Sequence, residues 1–562
     1  MKKNYGIFLD AGSSGTRLQV YVWDSAGSSQ LEVLPAELPQ IAMGSTDGKE
    51  WTTKTNPGIA SFSSKPTSVG KDHLKKLLDF AAKVIPESEY QDTPVFLSAT
   101  AGMRLLPKKQ QEIILSNACS YIQDNYNFKL DDCDSMIRVI DGKTEGLYGW
   151  LAVNYLLGHL DPKSNQTVGF LDMGGASAQV AFEAPVEKYS NYSDVLSHIQ
   201  LGLLNGGHLD YDVFLTTWLG FGANEARRRY YEQLLSSARD KSETLSDPCS
   251  HKNHHFSMNG ASFVGTGDIQ KCVSQMNPLL QKTLPCNRDP CLFGGVHVPP
   301  IDFNSTEFIG VSEFWHNTHD VFDMGGKYHF PSYYEKVADF CSQDWDSVLQ
   351  QYKEGNFAKA MSEGKLKKLC FKATWVMSVL HEGFGVPKSN STIQGHDNLE
   401  DGLNVIPSFH SSFSSVNKIE GSEVSWTLGQ VLLYASNDVS RKGFATLVPV
   451  RPSSNELVFS IFWKAALVLL GVSSLLLLIF SRKQRHKLRS MVRRFQDKKY
   501  RTVMTATGAY EEVYEPAKDD VELGPVLPRS KSTSNFTTII NSSGVLSRTV
   551  SRERIPRPST ER

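Results

Sequence analysis

The feature that most constrains this chain is a short pattern that occurs twice, DAGSSGTR at residues 10–17 and DMGGASAQ at residues 172–179. Each copy lies between two runs of alternating, β-branched or aromatic residues, which predict β-strands. The four predicted strands cover residues 5–9, 18–23, 168–171 and 180–182. Both copies are therefore expected in hairpin turns, and their duplication predicts two similar lobes that face each other.

A turn rich in Gly, Ser and Ala is suited to holding an anion. Small side chains let several backbone N–H groups point at one ligand, and the hydroxyls add further donors. The leading residues, Asp10 and Asp172, cannot bind an anion themselves, so their natural ligand is a divalent cation or its bound water. An ordinary Gly/Ser hairpin is the alternative for either copy alone. Two copies at matching places favour a phosphate site between the lobes.

The chain is long enough for two packed lobes and a tail. It has 562 residues, 40% of them hydrophobic, and a formal net charge of -1. Residues 482–562 contain 18 Lys/Arg and 9 Asp/Glu, so the part before them is acidic overall. An acidic body argues against a nucleic-acid-binding surface. We therefore expect no nucleic-acid partner.

An apolar stretch at residues 457–480 predicts one transmembrane helix. As a helix it would reach about 36 Å, enough to cross a lipid bilayer. A dense basic cluster follows it, which the positive-inside tendency assigns to the cytosol. A buried core helix is the alternative, but the basic cluster disfavours it. The body before the span is then expected on the lumenal or outer side of a membrane.

The cysteines point to the same compartment. All eight precede residue 457, and an even number on that side indicates disulfides in an oxidising environment. As a hypothesis, Cys286 pairs with Cys291, and Cys341 pairs with Cys370. The first residues, MKKN, form no apolar signal segment, so translocation would depend on the C-terminal span. The alternative is a cytosolic body with a translocated tail, which the basic cluster disfavours.

The tail, residues 481–562, is basic and rich in Ser and Thr. Its last part has few large apolar residues, so it cannot bury a core and is predicted to be disordered. A cytosolic protein partner of this tail is one interpretation that its composition leaves open.

Two segments between the turns carry further candidates. Residues 96–104 form a buried strand and a small-residue turn, where Thr100 offers a hydroxyl to a cation-bound water. A helix is predicted to begin at GKTEGLYGW, residues 142–150, with Glu145 near its start. Glu145 could merely stabilise the first turn of that helix, but beside two phosphate loops it could deprotonate a water. With an ordinary pKa of about 4.3, it would be ionised at neutral pH.

Five segments together resemble the apyrase-conserved regions of the nucleoside triphosphate diphosphohydrolase family. They are DAGSSGTR from Asp10, SATAGMRLL from Ser98, GKTEGLYGW from Gly142, LDMGGASAQVAF from Leu171 and SWTLGQ from Ser425. They occur in the family's order and span most of the body. The resemblance implies an α/β fold of two ribonuclease-H-like lobes, as in actin and sugar kinases, with the active site in the cleft between them.

These inferences together give an expected domain organisation. We expect lobe I at residues 1–165 and lobe II at residues 166–424. The chain then returns to lobe I at residues 425–450, before the transmembrane helix at 457–480 and the disordered cytosolic tail at 481–562.

The resemblance also assigns roles to individual residues. Glu145 matches the family's catalytic base, and the groups that position the attacking water are matched by Ser177 and Gln179. A shell around the waters of a bound Mg²⁺, Mn²⁺ or Ca²⁺ is matched by Asp10, Thr100, Asp172 and Trp426. The nucleotide-binding positions of the two phosphate loops are matched by Ser13, Ser14, Gly15, Thr16, Arg17, Gly174, Gly175 and Ala176.

Recognition of the nucleobase is expected at Trp315 and Trp375. They fall where family members place aromatic residues that sandwich the base, although Tyr is the residue expected there. An aromatic face stacks on any base, so broad nucleotide tolerance would follow. The alternative is that both tryptophans fill the core.

The implied activity is metal-dependent hydrolysis of nucleoside di- and triphosphates, such as GDP, UDP and ADP, to nucleoside monophosphate and phosphate. The topology and the lack of an N-terminal anchor imply a Golgi membrane position, with the body in the lumen. There the enzyme would remove the nucleoside diphosphates that glycosyl transfer leaves behind. Two alternatives stay open: a kinase of the same superfold, and a membrane scaffold that acts through its cytosolic tail.

Overall fold

The computed structural model divides the chain into two units, Met1–Pro452 and Ser453–Arg562. In the first unit the described residues are 3–24, 36–44, 51–161, 163–164, 166–238, 243–358, 361–388, 412–440 and 448–449. In the second unit they are 500–504, 510–514, 538–540 and 546–548.

The described part of lobe I contains a six-stranded sheet. Its strands are β1 (Lys3–Ala11), β2 (Thr16–Asp24), β3 (Ile41–Ala42), β4 (Thr52–Thr55), β5 (Val95–Ala99) and β6 (Ile137–Val139). β1 and β2 form an antiparallel hairpin, β5 lies parallel to β1, and β6 lies parallel to β5. β5 is buried along its whole length, as expected for an apolar run inside a parallel array. The hairpin confirms the strands predicted around the first motif.

The helices of lobe I follow its strands in the chain and pack against its sheet. They are α1 (Lys75–Val84), α2 (Ala101–Arg104), α3 (Lys108–Asn125), α4 (Cys133–Met136) and α5 (Gly142–Leu156). α5 begins where the side chain of Asp141 accepts a hydrogen bond from the N–H of Thr144 at 2.9 Å. Such an N-cap fixes the first residue of a helix. It therefore places Glu145 in the first turn, as predicted.

Lobe II repeats the plan of lobe I on a larger scale. Its strands are β7 (Gly169–Met173), β8 (Ser177–Glu183), β9 (Leu196–Gly202), β10 (His208–Leu219), β11 (Leu245–Asp247), β12 (His255–Met258), β13 (Ala261–Gly265), β14 (Cys291–Leu292), β15 (Val296–His297), β16 (Phe308–Ser312), β17 (Gly326–Lys327), β18 (Phe413–Ser415), β19 (Lys418–Ile419), β20 (Ser422–Glu423) and β21 (Val448–Pro449). The main sheet has the order β17-β18-β16-β7-β8-β10-β9-β21. β7 and β8 form a hairpin, and β16 and β18 extend the sheet in parallel from β7. This is the arrangement of β1, β2, β5 and β6, so the predicted duplication is confirmed.

The helices of lobe II lie around this sheet and form most of the core of the lobe. They are α6 (Ala223–Ser237), α7 (Ile269–Met276), α8 (Glu313–His319), α9 (Phe330–Ser342), α10 (Trp345–Lys353) and α11 (Glu363–Met377). The last described helix of the first unit is α12 (Trp426–Ser440).

α5 and α12 join the two lobes. Trp150 of α5 belongs to a buried cluster with Phe170 of the lobe II sheet. Ala152, on the same helix, belongs to another cluster with Leu428 of α12 and Phe8 of β1. Because these helices share apolar contacts with both sheets, packing sets the placement of the two hairpins relative to each other.

Disulfides crosslink both lobes. Lobe I contains Cys119–Cys133, and lobe II contains Cys249–Cys272, Cys286–Cys291 and Cys341–Cys370. Both hypothetical pairings, Cys286–Cys291 and Cys341–Cys370, are confirmed. Since all eight cysteines are paired, the fold matches an oxidising compartment.

The transmembrane helix is the part of the predicted fold class that needs correction. Among the described residues, no helix is both long and apolar enough to cross a membrane. Residues 457–480, where that helix was expected, lie outside the described residues. For the described residues, the fold class is therefore two α/β lobes.

In the tail, which was expected to be disordered, the structure describes two short antiparallel hairpins. β22 (Tyr500–Met504) pairs with β23 (Tyr510–Tyr514), and β24 (Thr538–Ile540) pairs with β25 (Leu546–Arg548). These segments contain Tyr, Thr, Val and Ile, which favour extended backbone. A basic, Ser/Thr-rich composition therefore did not exclude local β-structure at these positions.

Candidate active site

The turns of the duplicated hairpins lie at one cavity. It has a volume of about 300 Å³ and is lined by residues 12–17 of the first turn and by residues 174–177 at the second. A β-carbon at Gly175 would lie 2.8 Å from Oγ of Ser13. The two turns therefore face each other at contact distance, as the sequence predicts.

Backbone hydrogen bonds from the start of α6 hold the second turn in place. The N–H of Ala223 donates to the carbonyl of Gly174 at 3.0 Å. A β-carbon at Gly222, the residue before α6, would overlap the backbone nitrogen of Ala176. Among the described residues, no acceptor is bonded to the N–H groups of Gly175 and Ala176. These two donors are therefore available to an anion in the cavity.

The first turn is held by separate segments of lobe I. The side-chain amide of Asn56, with its nitrogen facing the turn, donates to the carbonyl of Ser14 at 3.1 Å. A β-carbon at Gly58 would overlap the carbonyl oxygen of Ser13, and one at Gly102 would lie 2.7 Å from Cα of Ser13. Close backbone packing therefore fixes this turn, whereas backbone hydrogen bonds from one helix fix the second turn.

Thr16 and Arg17 line the cavity and also bind other residues. The hydroxyl of Thr16 lies 2.7 Å from Nε2 of the buried His73. The guanidinium of Arg17 forms an ion pair with Glu423, which lines the same cavity. Arg17 therefore ties the first turn to a segment that lies near the end of the body.

Three carboxylates meet at the cavity. Asp172 and Glu145 are buried, and Asp10 is half-buried. Burial raises the pKa of Asp10 to about 7, that of Asp172 to about 6 and that of Glu145 to about 8. The negative charge of Asp172 adds to the increase at Asp10 and at Glu145. Burial and mutual repulsion disfavour the ionised forms of these three carboxyl groups, so a cation bound among them would stabilise the ionised forms.

Asp10 and Asp172 have the features of a divalent-cation site. Oδ1 of Asp172 is buried and has no hydrogen-bond partner in the described part of the chain. Thr100 and Trp426 line the same cavity, and a hydrogen bond from the side chain of Trp426 lowers the pKa of Asp10. Carboxylate and hydroxyl oxygens are preferred ligands of Mg²⁺ and Ca²⁺ and of their waters. The four residues predicted around the metal are thus brought together, and they fit a hydrated cation.

Glu145 is held by one of its two oxygens. Nη2 of Arg104 donates to Oε2 of Glu145 and forms an ion pair with it. Nε2 of Gln179 donates to the same oxygen at 3.1 Å and to Oγ of Ser177 at 2.6 Å. Glu145, Ser177 and Gln179 therefore form one connected group, as their predicted roles require.

The pKa of Glu145 is higher than the ordinary value of about 4.3 on which its expected ionisation was based. The expectation used the pKa of a solvated carboxyl, whereas burial raises the pKa to about 8 against the opposing charge of Arg104. Desolvation disfavours a charged group, and no sequence pattern reveals its extent. The carboxylate form at neutral pH thus depends on positive charge nearby.

The tryptophans predicted to stack on the base do not line the cavity. Trp375 is fully buried in the lobe II core, and its indole N–H donates to the carbonyl of Phe221 at 3.0 Å. Trp315 is half-buried and stacks on His319, with ring centroids 4.2 Å apart. The base-stacking prediction is therefore wrong for Trp375, because its position on α11 faces the core. For Trp315, which is partly exposed, base stacking stays a prediction.

Several residues at or near the cavity were missed by the sequence analysis. Lys54 and Asn56 line it beside the first turn, and Glu313 lines it in lobe II. Ser312, which interacts with Asp172, adopts a positive φ of 58° that its sequence does not signal. Arg104, which forms an ion pair with Glu145, was missed as well, although it belongs to SATAGMRLL, one of the segments that carried the resemblance.

Known proteins provide an independent comparison with this site. A family model described as the GDA1/CD39 (nucleoside phosphatase) family matches residues 1–446. The chain belongs to the GDA1/CD39 family. This membership makes the chain a nucleoside phosphatase and removes the kinase and the purely structural scaffold as alternatives for the body.

Relatives in the GDA1/CD39 comparison cover most of the chain. The Golgi apyrase of Schizosaccharomyces pombe is 48% identical over 99% of each chain. The Golgi apyrase of Saccharomyces cerevisiae is 40% identical, covering 80% of this chain and 73% of the relative. The nucleoside-diphosphatase mig-23 of Caenorhabditis elegans is 35% identical, covering 81% of this chain and 80% of the relative.

A solved structure supports the fold of this GDA1/CD39 member. The nucleoside triphosphate hydrolase of Neospora caninum matches with a TM-score of 0.50 at 15% identity, covering 79% of this chain and 94% of that chain. At this identity the likeness concerns the fold alone, and it agrees with the two α/β lobes described above.

Proposed function

We propose that this chain hydrolyses nucleoside di- and triphosphates to nucleoside monophosphate and phosphate. The observation that carries the proposal is the meeting of two anion-binding turns and the buried Glu145 at one cavity. A polyphosphate between the turns would present its terminal phosphorus to a water beside Glu145. Positioning and electrostatic stabilisation supply most of the catalysis in phosphoryl transfer, so such a rigid arrangement suits the reaction.

The predicted residues of the two turns and of the group around Glu145 each have a place in this reaction. The phosphates would be bound by Ser13, Ser14, Gly15, Thr16, Arg17, Gly174, Gly175 and Ala176. Ser177 and Gln179 would hold the attacking water, and Glu145 would accept its proton. The water oxygen would bond to the terminal phosphorus while the bridging P–O bond breaks, so that no phosphoenzyme forms.

A divalent cation belongs to the same proposal, with Mg²⁺, Mn²⁺ and Ca²⁺ as the candidates. Its waters would be held by Asp10, Thr100, Asp172 and Trp426. When bound, such an ion neutralises charge on the phosphate oxygens. The unpartnered Oδ1 of Asp172 is the observation that supports a cation at this position.

We further propose that the enzyme works in the Golgi lumen. Two of the relatives are named Golgi apyrases, and a third is named a nucleoside-diphosphatase. Full pairing of the cysteines is consistent with a lumenal environment. There, hydrolysis of nucleoside diphosphates would remove the products of glycosyl transfer and so support glycosylation.

Substitution of Glu145 tests the proposed activity. Glu145→Gln keeps the size of the side chain but removes the base, so the turnover number should fall by about 100-fold or more. Phosphate release from GDP, UDP, ADP and ATP would be measured with each cation and without any acceptor. The control is Glu363→Gln, a partly exposed position in the first turn of α11, which should retain full turnover. Near-normal turnover of Glu145→Gln would show that another group is the base.

A further inference from the structure

We infer that Arg104 is a positioning residue that acts through Glu145. The inference rests on the proposed function, in which Glu145 is the base. Arg104 is the last residue of α2, the short helix that follows β5. The same helix carries Gly102, which packs against the backbone of Ser13 in the first turn. One short segment therefore contacts the phosphate-binding turn at one residue and the proposed base at another.

The contact between Arg104 and Glu145 determines which oxygen faces the cavity. Both hydrogen bonds that the described residues give to Glu145, from Arg104 and from Gln179, end on Oε2. The side chains of Arg104 and Glu145 are 13% and 9% exposed, so little water competes for these bonds. Oε1 is left without a protein donor in the described structure, while Glu145 lines the cavity. Arg104 thus holds the carboxyl in the orientation that presents Oε1 to a water.

Charge supports the same role. Asp10, Asp172 and Glu145 bring negative charge to one small cavity. The charge of Arg104 lowers the pKa of both Glu145 and Asp172 against the effect of burial. Arg104 therefore opposes the mutual repulsion of these acids as well as fixing one of them in place.

Glu145 is the one hydrogen-bond partner that the described residues give to the guanidinium of Arg104. Nε and Nη1 are buried and have no hydrogen-bond partner among the described residues. Leaving buried donors unpaired costs stability. This cost is consistent with a residue retained for what its single ion pair does to Glu145.

Arg227 in lobe II provides a matched control. It is half-buried like Arg104, and its Nε is also unpaired in the described structure. Its Nη2 donates to the hydroxyl of Tyr231 at 3.1 Å, and its guanidinium lies 4.6 Å from the centre of the Tyr231 ring. Arg227 does not belong to the residues that line the described cavity. Arg227→Gln therefore controls for the loss of a half-buried arginine.

The test measures steady-state phosphate release from the full chain with Mg²⁺ and a nucleoside diphosphate. Arg104→Gln should lower kcat by about 10- to 100-fold, as misplacement of a catalytic group does, with KM changed by less than about threefold. Arg104→Lys should lose less, because it restores the charge. Arg227→Gln should keep kcat within about twofold of the wild type, because Arg227 does not line the described cavity. A wild-type kcat for Arg104→Gln, or a loss seen only in KM, would overturn the inference.

A second variant covers the case in which Arg104→Gln folds poorly. Arg104→Ala leaves a space for free guanidinium, and added guanidinium should restore part of kcat without changing the thermal midpoint. Absence of rescue in a folded Arg104→Ala protein, together with full activity of Arg104→Lys, would count against a role for the guanidinium group.

The double variant separates this inference from the proposed function. If Arg104 acts through Glu145, adding Arg104→Gln to Glu145→Gln should lower kcat by less than about threefold further, because coupled residues are not additive. Full additivity would contradict the inference. If Glu145→Gln is inactive while Arg104→Gln is fully active, only the role of Arg104 fails. If Glu145→Gln is fully active, another group is the base and the inference about Arg104 fails with that assignment. If the wild-type chain releases no phosphate from nucleotides, the proposed function itself fails.

Discussion

The two turns that line the cavity have similar sequences but are supported in different ways. The second turn is held by hydrogen bonds from the start of α6, which lies in the same lobe and follows β10 directly. The first turn is packed against Gly58 and Gly102 and bonded to Asn56, which come from segments far from it in sequence. Direct backbone bonds leave the second turn little freedom to move. The first turn is held by close packing, so its backbone can shift somewhat more than the backbone of the second turn.

This difference ranks the effects of adding one methyl group behind each turn. Gly222→Ala should have the largest effect, because its β-carbon would overlap the backbone nitrogens of Ala176 and Ser177. A displacement of about 1 Å at a catalytic site can cost about 100-fold, so we expect kcat/KM to fall by about that factor. The control is Gly364→Ala, whose β-carbon would meet no closer atom than Oγ of Ser362 at 4.0 Å. A loss below about threefold would contradict a rigid second turn.

Gly58→Ala should have an intermediate effect. Its β-carbon would overlap the carbonyl oxygen of Ser13, but the first turn can shift to relieve this overlap. We expect kcat/KM to fall by about 10-fold, which corresponds to about 1.4 kcal/mol of transition-state stabilisation. Steady-state kinetics of Gly58→Ala and Gly222→Ala, measured side by side, gives the difference between their losses in kcat/KM. Equal losses in both variants would show that the two turns are equally rigid.

Gly175→Ala tests the contact between the turns and should have a smaller effect on activity. The added β-carbon would lie 2.8 Å from Oγ of Ser13 and from Nδ2 of Asn224, and both of these side chains can rotate away. We expect a loss of about threefold in kcat/KM. Because Ser13→Ala removes one of the two clashes, the double variant should lose less than the product of the single losses. If the losses of the two single variants simply multiply in the double variant, the two turns are not in contact as described.

Binding of a cation in the absence of nucleotide should produce the smallest of these effects, a shift in the midpoint of thermal unfolding. Saturating Mg²⁺ should raise the midpoint by about 2–4 °C, because it binds the folded state alone. The shift should be larger at pH 8 than at pH 5, since protons compete for Asp10 and Asp172, whose pKa values are raised by burial to about 7 and about 6. Asp172→Asn should abolish the shift, while Asp302→Asn, at an exposed turn, should keep it. An equal shift in Asp172→Asn would place the cation elsewhere.

Much of this fold was predictable because its signals are local. Each hairpin is specified by strand residues on both sides of a small-residue turn, and Cys286 and Cys291 are separated by 5 positions. The position of Glu145 followed from its place at the start of a helix. In such cases neighbouring residues determine the structure, so the sequence pattern is sufficient.

The features that could not be predicted depend on long-range packing. Arg104 and Glu145 are 41 residues apart, and Arg17 and Glu423 are 406 residues apart, so no spacing rule pairs them. The pKa of Glu145 depends on burial by both lobes, which its local sequence does not show. Trp375 was misassigned because an aromatic residue on a helix can face either a cleft or a core.

The most direct test of the two-turn site is a crystal structure of Glu145→Gln with Mg²⁺ and a non-hydrolysable nucleotide analogue. We predict terminal phosphate oxygens bonded to backbone N–H groups of both the first turn, at Ser13–Gly15, and the second, at Gly175 and Ala176. A water should lie beside residue 145, in line with the terminal phosphorus. Phosphates bound by only one turn, or outside the cavity, would contradict the proposed site.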